Sequence, residues 1–155
     1  MKKMAVREKG AESVSHSLEQ TVFLSILRLA ELLKEPFNEL FKQHDLTLVQ
    51  FNVMRILRGA GDRGLTCAEV GERMINHDSD ITRMLDRLES HGLVSRMRRT
   101  DDRRVVISQI TAKGRSLLAE LDQPVLDLHE RQLRHLSREK LEELKLLLTQ
   151  LMEKT

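Results

Sequence analysis

Two short amphipathic segments that lead directly into two alternating segments constrain this chain more than any other feature of its sequence. The first segment spans 67–74, and the second runs on to His91 and Gly92. LVSRMRR and RVVISQI then alternate in polarity on either side of a polar TDDR tip. Spacings of three and four residues indicate helices, whereas two-residue alternation of β-branched residues indicates a hairpin. In this order the segments predict a helix-turn-helix with a β-hairpin wing.

Local signals predict where these two helices begin and end. Thr66 and Glu69 have the spacing of a capping box, in which each side chain satisfies a backbone amide at the helix start. Asp78 or Ser79 is expected to cap the second helix, and Gly92 to end it in a left-handed conformation. The second helix is expected to bury four apolar side chains, Ile81, Met84, Leu85 and Leu88.

Long amphipathic stretches flank the winged segment. One apolar stripe runs from Leu18 to Leu40 and another from Leu141 to Leu151, both in steps of three and four residues. A small helical lobe cannot bury so much apolar surface within itself. A homodimer that packs the terminal helices of two chains together is therefore predicted, and its two-fold symmetry would match a two-fold DNA site.

These patterns divide the chain into four segments. They are a charged, flexible tail at 1–14, an N-terminal dimerisation helix at 15–45, a winged helix-turn-helix lobe at 46–110 and C-terminal dimerisation helices at 111–155. Pro36 and Pro124 should kink or split the helices that contain them, because proline removes a backbone donor. The predicted fold class is mainly α, with one small β-hairpin.

The distribution of charge favours double-stranded DNA as the partner. The net charge is only +2, but RMRRTDDRR places five arginines within nine residues. The chain has no Trp or Tyr and four Phe, so it lacks the aromatic platforms on which single-stranded bases stack. From 62 to 110, nine arginines are balanced by nine acidic residues, so strong nonspecific binding is not expected.

Other functional classes find little support. The chain has no glycine-rich phosphate loop, nucleophile elbow or H-E-x-x-H motif, and its six histidines lack ligand spacing, so no catalytic residue, cofactor or metal is predicted. No apolar run reaches the ~20 residues of a membrane span, and no secretory signal is visible, so a cytoplasmic location is expected. The single cysteine, Cys67, has the spacing of a core residue; a redox-sensing thiol is the alternative.

The stretch from Leu46 to Gly114 resembles the multiple antibiotic resistance regulator (MarR) family. The likeness lies in LTLVQFNVMRIL, LTCAEVGERM and DSDITRMLDRLESHGLVSR. It is strongest in DDRRVVISQITAKG, which is similar to the family's D-x-R wing signature, strand and T-x-x-G. The resemblance implies a homodimeric transcription factor, commonly a repressor, that binds a pseudo-palindromic operator. It also implies a small effector, often an aromatic anion, bound between the two lobes at residues that the sequence does not identify.

The resemblance also implies which residues contact DNA. On the outward face of the second short helix they are Ser79, Asp80, Thr82, Arg83 and Arg87, and in the wing they are Arg98, Asp102, Arg103 and Arg104. Arg104 is expected to enter the minor groove with Asp102 orienting it, and Asp101 to shape the turn. Asp80 and Asp86 flank Arg83 at spacings of three. They are expected either to restrain this arginine or to accept from cytosine.

Two alternatives stay open at this point. Arg96, Arg98 and Arg99 either position phosphates or protect an exposed strand edge against aggregation. The whole chain can also be interpreted as a helical dimer that uses its winged lobe to hold another protein, without binding DNA.

Overall fold

The computed structural model describes residues 17–74, 80–99, 102 and 104–153. Within them, six α-helices and one hairpin follow each other in the order α1 (Leu18–Lys42), α2 (Leu48–Ala60), α3 (Cys67–Arg73), α4 (Ile81–Ser90), β1 (Val94–Arg98), β2 (Val106–Ile110), α5 (Ala112–Leu133) and α6 (Arg138–Met152). A 3₁₀ turn, Gly61–Arg63, separates α2 from α3. The predicted fold class, mainly helical with a small wing hairpin, is confirmed.

Two compact units divide the chain between Leu33 and Lys34, inside α1. In the described part of the first unit, several large apolar side chains are exposed: Leu18, Val22, Phe23, Leu27, Leu29 and Leu32. The second unit contains the hydrophobic core and all the remaining helices and strands. The tail predicted at 1–14 lies outside the described residues.

The core of the second unit forms where the apolar face of each helix turns inward. In α2, Phe51, Val53, Met54 and Leu57 are buried, while Leu48 is only partly covered. In α4 the buried side chains are Leu85 and Leu88, with Ile81 and Met84 packed against the core at its edge. Because this face of α4 is buried in the core, the opposite face of the helix is available for a partner.

Both prolines lie inside continuous helices, so the predicted split at these positions is wrong. The helix α1 runs through Pro36 for 25 residues, and α5 runs through Pro124 for 22. A proline costs an interior helix about 3 kcal/mol. Each proline is followed by buried side chains, Phe37 and Phe41 in α1 and Val125 in α5. Each of these side chains contributes roughly 1.5–3 kcal/mol by leaving water. Tertiary burial therefore outweighs the lost backbone hydrogen bond.

Capping contacts confirm the predicted start of α3. The Glu69 backbone N–H donates to Thr66 Oγ1 at 3.2 Å, and the Thr66 N–H donates to Glu69 Oε2 at 2.8 Å. The same two contacts join Thr47 and Gln50 at the start of α2, a second capping box that the sequence prediction missed.

The start of α4 differs from its prediction. Its cap is Asp80, whose Oδ1 accepts from the Arg83 N–H at 3.1 Å. The residues expected in this role, Asp78 and Ser79, lie outside the described residues. The predicted end is confirmed, since Gly92 follows the helix at φ 69°, a conformation that glycine adopts without strain.

The hairpin is anchored to the segment before α3 at the middle of β2. Its strands pair antiparallel, from Val94 opposite Ile110 to Arg98 opposite Val106. Leu65, just before α3, exchanges two backbone hydrogen bonds with Ser108 of β2, at 2.9 and 2.8 Å. The middle of the hairpin therefore has a third, one-residue neighbour, Leu65, beside its two strands.

A close backbone approach joins the end of the hairpin to α5. Thr111 caps this helix by accepting from the Gly114 N–H at 3.1 Å, and its hydroxyl donates to the Gly92 carbonyl at 2.8 Å. A Cβ on Gly114 would overlap the Leu93 carbonyl oxygen and lie 2.8 Å from Ile110 Cγ1. The T-x-x-G motif thus connects the end of the hairpin to α5, and its last position requires glycine.

The helix α6 presents a largely uncovered apolar face. Five large apolar side chains are exposed along it, Leu146, Leu147, Leu148, Leu151 and Met152, whereas Leu141 and Leu144 are half-buried. Among the described helices, none is both long and apolar enough to pass through a lipid bilayer.

Candidate nucleic-acid interface

The outward face of α4 carries the polar side chains that the sequence assigned to DNA. Asp80, Thr82, Arg83 and Arg87 are all exposed, because Leu85 and Leu88 turn the opposite face of the helix into the core. Ser79, the fifth predicted helix residue, lies outside the described residues.

Asp80 is engaged by its own helix. While its Oδ1 caps the helix, its Oδ2 lies 3.5 Å from Arg83 Nε in an ion pair whose partners are 61% and 75% exposed. Of the two roles weighed for this aspartate, the geometry favours restraint of Arg83 over acceptance from a base. The exposed pair leaves the arginine free to exchange the carboxylate for a phosphate, since such pairs contribute little stability.

Asp86 does not pair with Arg83 but with Arg96 of β1. The Arg96 guanidinium contacts Asp86 through Nη2 and Glu89 through Nε, the latter at 2.8 Å. The Arg96 backbone N–H also donates to Glu89 Oε1 at 3.1 Å. These carboxylates, Glu89 foremost, raise the pKa of Arg96 above its ordinary value against the opposing effect of desolvation. The wing and α4 are thereby joined through one side chain.

The two arginines of β1 differ in their surroundings. Arg96 and Arg98 share one face of the strand, but the side chain of Arg96 is only 26% exposed and is paired with Glu89 and Asp86. Arg98 is exposed and has no ion-pair partner among the residues that the structure describes. The guanidinium of Arg98 is therefore exposed to solvent, whereas that of Arg96 is held by two carboxylates. Sequence reasoning could not separate them, because the acidic partners of Arg96 lie seven and ten residues away.

The tip of the wing is shaped by Asp102. Its Oδ1 accepts from the Arg104 backbone N–H at 3.0 Å, and its carbonyl accepts from the Val105 N–H, also at 3.0 Å. The aspartate thus orients Arg104 through the backbone, in the turn role that the sequence prediction gave to Asp101. Arg104 is exposed, and within the described ranges its guanidinium has no ion-pair partner. Asp101 and Arg103 lie outside the described residues.

Cys67 is exposed, so its predicted place in the core is wrong. Its Sγ lies 3.5 Å from Thr82 Oγ1 on α4. The apolar spacing is real, since Val70 and Met74 on the same face are buried. Cys67, however, is the first residue of a seven-residue helix, where the core no longer covers that face.

Acidic, histidine and cysteine side chains form no group of three or more suited to a metal ion within the described part of the chain. A cavity of about 540 Å³ lies between the start of α2 and the last turn of α4. Three basic side chains, Lys42, Arg87 and His91, line it together with Asp45 and Gln50. The sequence carried no signal for this cavity, because its walls come from residues up to 49 positions apart.

Comparison with known proteins agrees with this arrangement. A family model described as transcriptional regulator SarA/Rot matches residues 35–121, more than half of the chain. The HTH-type transcriptional regulator TtmR of Methylorubrum extorquens is 31% identical over 106 residues, which cover 68% of this chain and 53% of that protein. The chain thus spans about half the length of this curated relative.

Solved structures show the same fold. The crystal structure of a MarR transcription factor from Planctomyces limnophilus is 38% identical, with a TM-score of 0.68, and covers 90% of this chain and 98% of its own. The MepR–DNA complex from S. aureus, at 20% identity and a TM-score of 0.77, covers 91% of this chain and 100% of its own. These relatives are transcriptional regulators rather than enzymes.

Proposed function

The chain belongs to the MarR family of DNA-binding transcriptional regulators, and from this premise we propose that it is a homodimeric repressor of a pseudo-palindromic operator. The observation that supports this most is the pairing of an exposed polar face on α4 with an exposed arginine at the wing tip, Arg104. A helix of this kind fits the major groove, and an arginine fits a narrow minor groove.

The proposed contacts are those that the resemblance to the family implies. They comprise Ser79, Asp80, Thr82, Arg83 and Arg87 at α4 and Arg98, Asp102, Arg103 and Arg104 in the wing. Arg83 meets a base or a phosphate, Arg87 and Arg98 meet phosphates, and Arg104 enters the minor groove. Asp80 and Asp102 act by holding the neighbouring arginines. The MepR structure, which contains DNA, is a precedent for this fold on a duplex.

The homodimer is supported by the apolar surface that each compact unit exposes. Residues 18–33 expose six large apolar side chains, and α6 exposes five. Contiguous apolar patches of this kind mark interaction surfaces in folded proteins. A second copy that packs these helices against its own would bury them and place two copies of α4 in a two-fold arrangement. The segments 15–45 and 111–155 are proposed as the dimerisation lobe, and 46–110 as the DNA-binding lobe.

We propose a small aromatic anion as the effector. The cavity of about 540 Å³ has the size of a small-molecule site, and its lining holds two cationic side chains, Lys42 and Arg87, against one carboxylate, Asp45. Arg87 belongs to both the cavity and the proposed DNA-contacting face, so an anion held there would compete with a phosphate for the same guanidinium. Replacing Lys42 with Ala should reduce release of the operator by such anions without reducing DNA affinity in their absence.

A salt titration on duplex DNA tests the function as a whole. The duplexes are the region upstream of the chain's own gene and an unrelated sequence of equal length. If several arginines contact phosphates, the logarithm of the association constant should fall steeply with the logarithm of salt, by roughly 0.9 per phosphate. Absence of binding to any duplex at low salt would support the alternative, a helical dimer that holds another protein.

Cys67 supports a second candidate, a redox-sensing regulator. Its exposed thiol touches Thr82 on the proposed DNA-contacting face, so oxidation there would add bulk and polarity beside that face. Under this hypothesis an oxidant weakens operator binding by the wild type but not by Cys67→Ser. Equal loss in both proteins would reject it. We also propose a cytoplasmic location, because genomic DNA lies in the cytoplasm of the bacteria that carry the relatives.

A further inference from the structure

Arg96 connects the two parts of the proposed DNA interface, the wing and α4. Three of its nitrogens face α4: the backbone N and Nε reach the two oxygens of Glu89, and Nη2 reaches Asp86. A forked guanidinium suits such a double contact, whereas the point charge of a lysine does not. The contact lies in the middle of β1, opposite Ser108 of β2, the residue that Leu65 holds on the other side.

The surroundings of Arg96 show why this contact affects the orientation of the wing relative to α4. A two-stranded hairpin has little stability of its own and takes its orientation from what it packs against. Beyond Arg96, β1 continues with the exposed residues Met97 and Arg98. The distance from the outward face of α4 to Arg104 is therefore set by whatever holds the middle of the wing.

We propose that Arg96 is a positioning residue which, through Glu89 and Asp86, locks the wing to α4 so that helix and wing reach adjacent grooves together. The proposal rests on the proposed DNA interface and adds to it a specificity-determining contact that does not touch DNA. Because both partners of Arg96 lie on α4, the lock fixes β1 directly to that helix, whereas the Leu65–Ser108 hydrogen bonds fix β2 to the segment before α3.

The negative charge of Glu89 allows the proposed lock to be tested. Glu89→Ala removes a negative charge from the DNA-binding lobe, so electrostatics alone predicts tighter binding to a polyanion. Loss of the lock predicts weaker binding. The matched control is Glu72→Ala on α3, an exposed acidic residue with no ion pair in the described ranges. We expect Glu89→Ala to bind the operator about tenfold more weakly and Glu72→Ala to bind it as tightly as the wild type or more tightly.

Two further readouts separate positioning from direct contact and from general destabilisation. Arg96→Ala should weaken operator binding without changing the salt slope, whereas Arg98→Ala should lower the slope by roughly 0.9, the value for one phosphate. In Glu89→Ala, protection of minor-groove sugars from hydroxyl radicals should fade while protection of guanine N7 in the major groove persists. A purely structural role would reduce both footprints equally, in step with the thermal stability of the variant.

Several outcomes would overturn the lock. They are unchanged or tighter operator binding by Glu89→Ala, a lower salt slope for Arg96→Ala, or equal loss of both footprints. If Glu89→Ala is unfolded at the assay temperature, Asp86→Asn removes the second anchor with a smaller change, and the same comparisons apply. Failure of the proposed function itself would appear differently, as a wild-type protein that binds no duplex at low salt.

Discussion

The Asp102 side chain accepts a hydrogen bond from the backbone N–H of Arg104 at 3.0 Å. This contact explains why an acidic residue lies among the wing arginines. An aspartate that bonds to the backbone two residues later builds a turn, and this turn fixes the direction in which the Arg104 side chain leaves the chain. The guanidinium itself stays available for DNA.

The turn predicts different effects on DNA affinity for two substitutions of Asp102. Asp102→Ala should weaken operator binding, although it makes the protein more basic, because the backbone at Arg104 loses its restraint. Asp102→Asn should retain most of the affinity, since the amide oxygen can accept the same hydrogen bond. Fluorescence anisotropy with labelled operator measures both. Equal loss in both variants would instead mean that the charge of Asp102 orients the Arg104 guanidinium.

The exposed Arg104 predicts a loss of DNA affinity without a loss of assembly. Arg104→Ala should weaken operator binding by about 1–3 kcal/mol, the usual range for a specific contact, and leave the oligomeric mass unchanged in light scattering. Arg134→Ala serves as control, because it removes the same charge from an exposed position at the end of α5. If both variants lose equal affinity, the effect of Arg104 is one of net charge alone.

The close approach at Gly114 predicts a large loss of stability. Gly114→Ala should lower the free energy of unfolding by about 1–3 kcal/mol, because its Cβ would overlap the Leu93 carbonyl oxygen. Gly59→Ala is the matched control: no atom lies within 4 Å of its added Cβ, and alanine favours the helix by roughly 0.8–1 kcal/mol. Urea denaturation followed by circular dichroism should therefore show opposite signs for the two substitutions.

The ion pair between Arg58 and Asp122 predicts a pH dependence of stability. Arg58 Nη1 and Nη2 donate to the two carboxylate oxygens at 2.8 and 2.9 Å, and these hydrogen bonds hold the pKa of Asp122 below its ordinary value. A lowered folded-state pKa stabilises the fold above the unfolded pKa, near 3.9, and the effect is lost as pH falls through the folded value.

The comparison of Asp122→Asn with the wild type measures this effect. At pH 7 the wild type should be more stable by at most about 1 kcal/mol, since the carboxylate is 46% exposed and screened by water. The difference in melting temperature should shrink below about pH 4. Glu120→Gln, on the exposed face of α5, is the control substitution, because it removes the same charge from the same helix without touching Arg58.

The uncovered face of α6 predicts which substitutions disrupt the proposed dimer. Leu148→Glu together with Leu151→Glu should produce a monomer in sedimentation experiments, because two charges would enter the apolar interface. Gln150→Glu adds charge at an exposed polar position of the same helix and should leave the dimer intact. A dimer that survives the double substitution would place the interface elsewhere.

Much of the fold could be predicted from sequence because it depends on residues close together in the chain. The capping box of Thr66 and Glu69, the left-handed Gly92 and the alternating strands are all local patterns. The T-x-x-G motif was visible too, although its reason, the close approach of α5 to Leu93, was not.

The sequence by itself determined the order of helices and strands, the exposed face of α4 and the wing that follows it. Only the tertiary structure decided that Arg96 pairs with Glu89 and Asp86 while Arg98 is exposed, that Cys67 faces outward and that both prolines lie within unbroken helices. The physical reason is common to all three. Periodicity describes which residues share a face, whereas the partner of a charge, the edge of a core and the burial that offsets a lost hydrogen bond all come from residues distant in the chain.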